Sequence, residues 1–532
     1  MKKIITYTAL MFSSLFLMPS CTGNFEKMNT PPFGVTDEEL GQDNNFIGMH
    51  FPTLQKSIYY NRNGWGWDFQ TIQNLTSDIW SGYMATPSNF KGGINTQTYA
   101  LTNDWTDEAW TYTYSSVMTN QLRVKEKCEQ LGMDVYAHFN AINSILRVFA
   151  MSRVCDEYGP IIYTKYGESK TGGTYDSAQD AYKAFFAELT DASKVLDEAL
   201  KKPAVASFAK FDMAYNGELD KWLRLCNTLR LRLAMRVVKY DKEWARKEAE
   251  AAIAAPQGVL KSGESFIVSG YGWMHPLYTC SIEYNDIFVS ANIVSILGGY
   301  NDPRLLKIGI TKGTGDDKKV VGVRTGIPGL EDTADKYKAL ISNINVNTTT
   351  PGTVMSAAEA YFLLAEAALR GWNAGGDAKT YYEQGVAASF SDFGVSLGDY
   401  LNSSKVPAAW VDPLVDKFNS PAVSTVSPKW DDAKNDEERL EKIITQKWIA
   451  SFPEGKQTWA EWRRTGYPKL FPVLKNDSQG LITTEYGVRR LPFVLSEVSK
   501  NPTGYADAVK LLGGPDNGAT RLFWDINKGN FE

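Results

Sequence analysis

The chain has 532 residues, 43% of them hydrophobic, enough to bury a sizeable core without disulfides. Its 56 Lys and Arg against 61 Asp and Glu give a net charge of −5. That balance argues against nucleic acid as a partner, because phosphate binding needs a basic surface. The three histidines, His50, His138 and His275, lie far apart. No H-E-x-x-H, Walker A loop, G-x-S-x-G elbow or EF-hand loop is present, so no catalytic, metal or cofactor residue is assigned. A carboxylate pair for glycoside hydrolysis stays open, since such pairs form in space.

At the start, Lys2 and Lys3 precede an apolar run at 4–18, followed by Pro19-Ser20-Cys21. A charged segment, an apolar stretch and a small residue before the cut mark a secretory signal. The run is shorter than a membrane span and is interrupted by Thr6, Thr8, Ser13 and Ser14. Cleavage ahead of a cysteine implies acylation of Cys21. The expected layout is a signal peptide at 1–20 and a lipid-anchored single domain at 21–532. Ordinary secretion with an incidental cysteine is the alternative. Removing 1–20 takes away two lysines and no acid, which moves the net charge from −5 to −7. Cys128, Cys155, Cys226 and Cys280 are scattered; the first three lie on helical stretches, where buried free thiols are expected, and a disulfide stays open in an exported protein.

Residues 40–115 are irregular and rich in aromatics. Helical periodicity begins at 137–154. Tyr182, Phe185, Phe186, Leu189, Ala192, Leu196 and Leu200 then recur at three- and four-residue steps, as do Trp222, Leu225, Cys226, Leu229, Leu233 and Val237. Another helix is expected at 244–254. Residues 257–350 and 391–435 are long Gly-, Asn-, Thr- and Pro-rich loops, and loops of that length are usually functional surfaces. Between them, Ser356-x-x-Glu359 reads as a capping box opening a helix that ends near Leu369. Gly371 and Gly376 bound a turn, and a second helix follows from Asp377. Two helices in about 34 residues match the spacing of a tetratricopeptide hairpin. After a helix at 441–451, Gly466 and Pro468 close another that carries Trp459 and Trp462 on one face.

The chain holds 15 Trp and 27 Tyr, many of them in the loop-rich parts beside polar residues and glycine. Flat rings exposed there could stack on the apolar faces of sugars while Asn, Asp and Arg neighbours bind hydroxyls. The competing reading is that these rings are core, where aromatics dominate.

The string Trp459-Ala460-Glu461-Trp462-Arg463-Arg464-Thr465-Gly466-Tyr467-Pro468 closely resembles a signature of the SusD/RagB family of nutrient-binding lipoproteins. Four more strings resemble family segments in the expected order. They are Glu157-Tyr158-Gly159-Pro160, the basic helix from Asn227 through Arg230 and Arg232 to Arg236, Asn301-Asp302-Pro303-Arg304, and Tyr361-Phe362-Leu363-Leu364-Ala365-Glu366. Arg230, Arg232, Glu366, Arg463 and Arg464 are expected to hold helices and loops together, not to bind ligand.

The resemblance implies an all-α SusD-like fold with tetratricopeptide-type helix pairs and large irregular loops. It also implies a surface-exposed, outer-membrane, lipid-anchored binder. Such a protein captures an oligosaccharide and passes it to a SusC-like TonB-dependent transporter, with no covalent chemistry. Composition and position within the loops single out Trp65, Trp67, Trp80, Tyr83, Trp273 and Tyr278 as candidates for sugar stacking. A surface glycoside hydrolase, and a tetratricopeptide-type lipoprotein binding peptide or protein, remain the rival readings.

Overall fold

Residues 42–61, 66–169, 172–328 and 331–532 are described in this computed structural model. The signal segment and Cys21 lie outside them. Among the described residues of the unit Ile47–Glu532, nine helices form the frame. They are α1 Thr119–Leu131, α2 Met133–Tyr158, α3 Ala178–Leu200, α4 Leu219–Arg236, α5 Lys242–Ile253, α6 Ala357–Leu369, α7 Ala378–Asp392, α8 Asp436–Ala450 and α9 Gly455–Thr465. Consecutive helices pack as pairs: α1 on α2, then α2 on α3, α3 on α4, α4 on α5 and α6 on α7. Helix α8 closes over α6 and α7, and α4 touches α6, so the N- and C-terminal groups share one core. No helix among the described residues is long and apolar enough to cross a membrane.

Local chemistry explains the helix ends. Ser177, Asp241, Asp377 and Asn435 each accept a backbone N–H of the first turn, capping α3, α5, α7 and α8. Ser356 caps α6 by accepting from Ala358 N. The expected capping box is corrected, however, because Glu359 does not turn back to Ser356. Its buried carboxylate takes both Arg232 nitrogens instead, at 2.8 and 2.6 Å. Pairing a desolvated charge outranks a cap that water could supply. Helices α6 and α7 approach closely at Gly385, where a Cβ would lie 2.8 Å from the Phe362 ring.

The motif residues form a buried ionic network. Arg464 donates to Glu366 at 2.7 and 2.8 Å and to Glu461 at 2.8 Å. Arg236 and Lys447 also reach Glu461, at 2.7 and 2.6 Å, and Arg370 reaches Glu366 at 2.8 Å. The network therefore joins α4, α6, α8 and α9. Arg463 lies 3.7 Å from the Trp459 ring centroid and donates to the carbonyls of Asp156 and Arg489. Arg304 pairs with Asp302 and donates to Ser389 of α7 and Gln446 of α8, tying the mid-chain loop to the frame. As expected of the five motif residues quoted above, each is occupied inside the fold; Arg230 meets Glu248 at 2.6 Å.

Two short antiparallel pairs fasten the loops. Strand β1 (Met84–Ala85) pairs with β3 (Phe288–Val289), and β2 (Phe266–Val268) with β4 (Gly352–Met355). Cys128, Cys155, Cys226 and Cys280 are buried and free, as the sequence suggests for the first three.

Candidate functional site

The irregular segments 66–74 and 271–286 meet, and both carry aromatic side chains. Gly66 makes the meeting close, since a Cβ there would fall 2.4 Å from Thr279 Cβ. Cys280 Sγ donates to Gly66 O at 3.4 Å, Asn61 Nδ2 to Met274 O at 2.6 Å, and Lys56 Nζ to Tyr271 O at 3.4 Å. Under the face the rings are locked. Tyr59 stacks on Phe69 at 5.7 Å and meets Trp273 and His275 edge-on, each at 5.3 Å. Trp273 gives its indole N–H to Thr350 O at 2.8 Å, and Gly352 has no side chain to obstruct that ring. Burial pushes His275 down to about 3. The neutral ring accepts Leu277 N at Nδ1, which leaves the proton on Nε2, 3.2 Å from the Tyr59 hydroxyl.

Above this support several rings stay open. Trp67 is 41% exposed and Tyr284 is 43% exposed, while Tyr278 is half-buried. Tyr271 is half exposed and has φ 47 between Gly270 and Gly272, which are also left-handed. A non-glycine residue held there costs about 1–3 kcal/mol, and the turn holds the ring away from the core. Polar groups run alongside. Asp286 accepts from Ser88 Oγ at 2.9 Å and Gln70 Nε2 at 3.5 Å, and Lys338 Nζ lies 3.5 Å from it. Half-exposed rings beside a carboxylate, an amide and an ammonium offer both stacking surface and partners for hydroxyls.

The six candidates separate into groups. Trp67 and Tyr278 flank the Gly66–Thr279 contact in sequence and belong to the open face. Trp273 is buried beneath it as support. Tyr83 is fully buried, packs on Trp448 at 4.9 Å and donates its hydroxyl to the Trp448 carbonyl, so it presents no ring face to a ligand. Trp80 is 7% exposed, donates to Thr96 O at 2.9 Å and packs on Trp459 at 4.8 Å, apart from the others. Trp65 lies outside the described residues. Tyr271 and Tyr284 were missed by sequence reasoning. Tyr271 could have been found, because an aromatic between two glycines has little chance of core packing. Among the described residues no group of acidic, His and Cys side chains is arranged to hold a metal.

Comparison with known proteins gives this geometry a family. The SusD-like family, described as SusD and RagB outer-membrane lipoproteins, matches residues 27–525. The chain belongs to the SusD-like family. A solved chitin-binding SusD homolog from Flavobacterium johnsoniae is 44% identical. The match covers 91% of this chain and 100% of that one, with a TM-score of 0.86. A SusD homolog from Bacteroides vulgatus is 39% identical over 91% of this chain and 98% of its own, with a TM-score of 0.85. One from Bacteroides thetaiotaomicron is 32% identical over 91% and 99%, with a TM-score of 0.83. No curated protein sequence matches the chain. Membership in this family makes the chain one of a group of outer-membrane lipoproteins.

Proposed function

We propose that this SusD-like protein captures a chitin-type oligosaccharide at the outer cell surface and passes it to a TonB-dependent outer-membrane transporter. Acylated Cys21 is the anchor. The observation that carries the reading is the open face of Trp67, Tyr271, Tyr278 and Tyr284 beside Gln70 and Asp286, on a locked aromatic base. The chitin-binding description of the F. johnsoniae homolog selects the sugar class. Rings lie against the apolar faces of the sugar, the polar groups take its hydroxyl and acetamido groups, and no bond is made or broken. Capture without chemistry fits a face that exposes rings and turns its motif charges inward.

The test is calorimetry of the full chain, purified in detergent, with N-acetylglucosamine tetramer and with starch and fructan oligosaccharides, followed by analysis for cleavage products. Binding of the tetramer without turnover is expected. Trp67→Ala should weaken it by about 1–3 kcal/mol, the scale of covering one large side chain, with unchanged unfolding temperature. Turnover of the tetramer, or full affinity in Trp67→Ala, would overturn the reading.

A further inference from the structure

A second cavity shares no residue with the aromatic face. Its volume is about 180 Å³, and Trp80, Tyr99 and Trp462 line it together with Asn292, Thr325, Thr484 and Glu485. Three neighbouring tryptophans have settled partners. Trp80, Trp448 and Trp459 each give the indole N–H to a backbone carbonyl. At this cavity the donors are left over. Asn292 is only 6% exposed and accepts Phe471 N through Oδ1 at 2.8 Å, while its Nδ2 has no partner among the described residues. The Trp462 Nε1 and the Tyr99 hydroxyl have none there either. Asn292 lines the cavity, so an acceptor placed there can take the hydrogens of its amide nitrogen.

The backbone keeps the space open. Tyr99 is held at φ 63 and ψ 14, a left-handed conformation that costs a non-glycine residue about 1–3 kcal/mol. At Gly487 a Cβ would meet the Trp462 ring at 3.2 Å and the Tyr99 hydroxyl at 3.4 Å. At Gly82 it would lie 3.2 Å from Asn292 Nδ2. Both glycines therefore stand where any side chain would crowd the unpaired donors.

Size and charge define the occupant. A cavity of about 150 Å³ holds benzene, so this one accommodates a single six-membered ring and no chain of them. Three aromatic side chains suit the apolar faces of such a ring, and three unpaired donors suit its oxygens. Glu485 and Thr484 are exposed at the rim and accept from hydroxyls. A carboxylate there repels an anionic sugar. We infer that this cavity is a separate binding site for one uncharged sugar ring, independent of the aromatic face. The inference rests on the glycan reading above, which selects N-acetylglucosamine as the probe.

The experiment titrates the full chain in detergent with N-acetylglucosamine and with glucuronic acid, following tryptophan fluorescence. Asn292→Asp keeps the oxygen that Phe471 N needs and replaces the free donor with an acceptor. Tyr99→Phe removes only the hydroxyl. Monosaccharide binding should fall about tenfold in Asn292→Asp and severalfold in Tyr99→Phe, as lost hydrogen bonds require. Glucuronic acid should bind at least about tenfold more weakly than N-acetylglucosamine. If Asn292→Asp does not fold, Tyr99→Phe decides alone. No binding of N-acetylglucosamine, unaltered binding in the folded cavity variants, or equal binding of glucuronic acid would overturn the inference. The same preparations separate it from the wider reading. Tetramer binding that survives Trp67→Ala refutes the aromatic face while leaving the cavity result intact.

Discussion

Arg464→Met tests whether the family's signature charges are structural. Arg464 is fully buried, and its loss leaves Glu366 with Arg370 on Oε1 and no partner for Oε2. Glu461 keeps Arg236 and Lys447. Methionine supplies apolar volume but no charge, so the cost is that of stranding a buried carboxylate, about 3–5 kcal/mol at neutral pH. The pH dependence identifies the cause. Burial alone would raise Glu366, but Arg464, then Arg370, outweigh it and hold the carboxyl at about 2, against 4.5 for a free glutamate. A depressed pKa contributes stability that is complete above about 4.5 and lost as pH falls through about 2. In Arg464→Met burial prevails over a weakened hold, and most of that contribution is already gone. The gap between wild type and variant should therefore narrow steadily from pH 4.5 downward. Urea unfolding followed by circular dichroism at pH 7 and at pH 3 measures it. A variant within about 1 kcal/mol of wild type at pH 7, below the range for a stranded buried charge, refutes the reasoning. So does a gap as wide at pH 3 as at pH 7.

Three further substitutions probe other links. Gly455→Ala would normally favour a helix by up to about 1 kcal/mol. Here the new Cβ would lie 2.1 Å from Asp78 Oδ1 and 2.7 Å from its backbone nitrogen. A loss of about 1–3 kcal/mol is expected from overpacking, and a rise in unfolding temperature would refute that contact. Burial, opposed by hydrogen bonds from Asn74 and Gln73, lifts Asp78 to about 8 from 3.8. A raised acid makes stability fall as pH rises from about 4 to 8. Asp78→Asn cannot ionise, and turning the Asn74 amide brings its unpartnered Oδ1 to the new NH2 group. Its stability should be flatter across that range, with its largest relative gain at pH 8; parallel pH curves for the two proteins would refute the shift. Cys21→Ala should release the protein from the membrane fraction without changing its unfolding temperature, and continued anchoring would refute acylation at that residue.

Much of the frame was legible because periodicity and caps are local. The stripe from Tyr182 to Leu196, the cap at Asp377 and the stop at Gly466 follow from residues within a few positions of each other. The irregular N-terminal part offered no such signal. Its π-turns at Gln70–Asn74 and Thr113–Met118 arise from packing and not from a repeat. The burial of the candidate rings was not legible. Trp80 and Tyr83 stand three residues apart and look equally available in sequence. What removes Tyr83 from solvent is Trp448, far along the chain on α8, and what covers Trp80 is Trp459 on α9. Burial set by such distant partners leaves no local trace. The basic helix α4 shows the same limit, because the partners of Arg232 and Arg236 are Glu359, Asp156 and Glu461, all from distant segments.

That separation between frame and face has a functional consequence. The charged residues by which the family is recognised are engaged inside the fold, and every bond of Arg464 or Glu366 is directed inward. A ligand cannot use them without breaking a pair whose loss costs several kcal/mol. On the proposed reading, recognition falls to residues outside these pairs, foremost the rings of 66–69 and 271–284. Those segments are fixed to the frame through a close contact at Gly66, the Tyr59 ring and the β1–β3 ladder. Rings on such a base lose little freedom on binding, so contact area converts to affinity more efficiently than it would on a loose loop. Exchanging Trp67 or Tyr271 for another residue would change the sugar bound and leave the ionic core untouched. On that reading one frame can serve different ligands through its open rings.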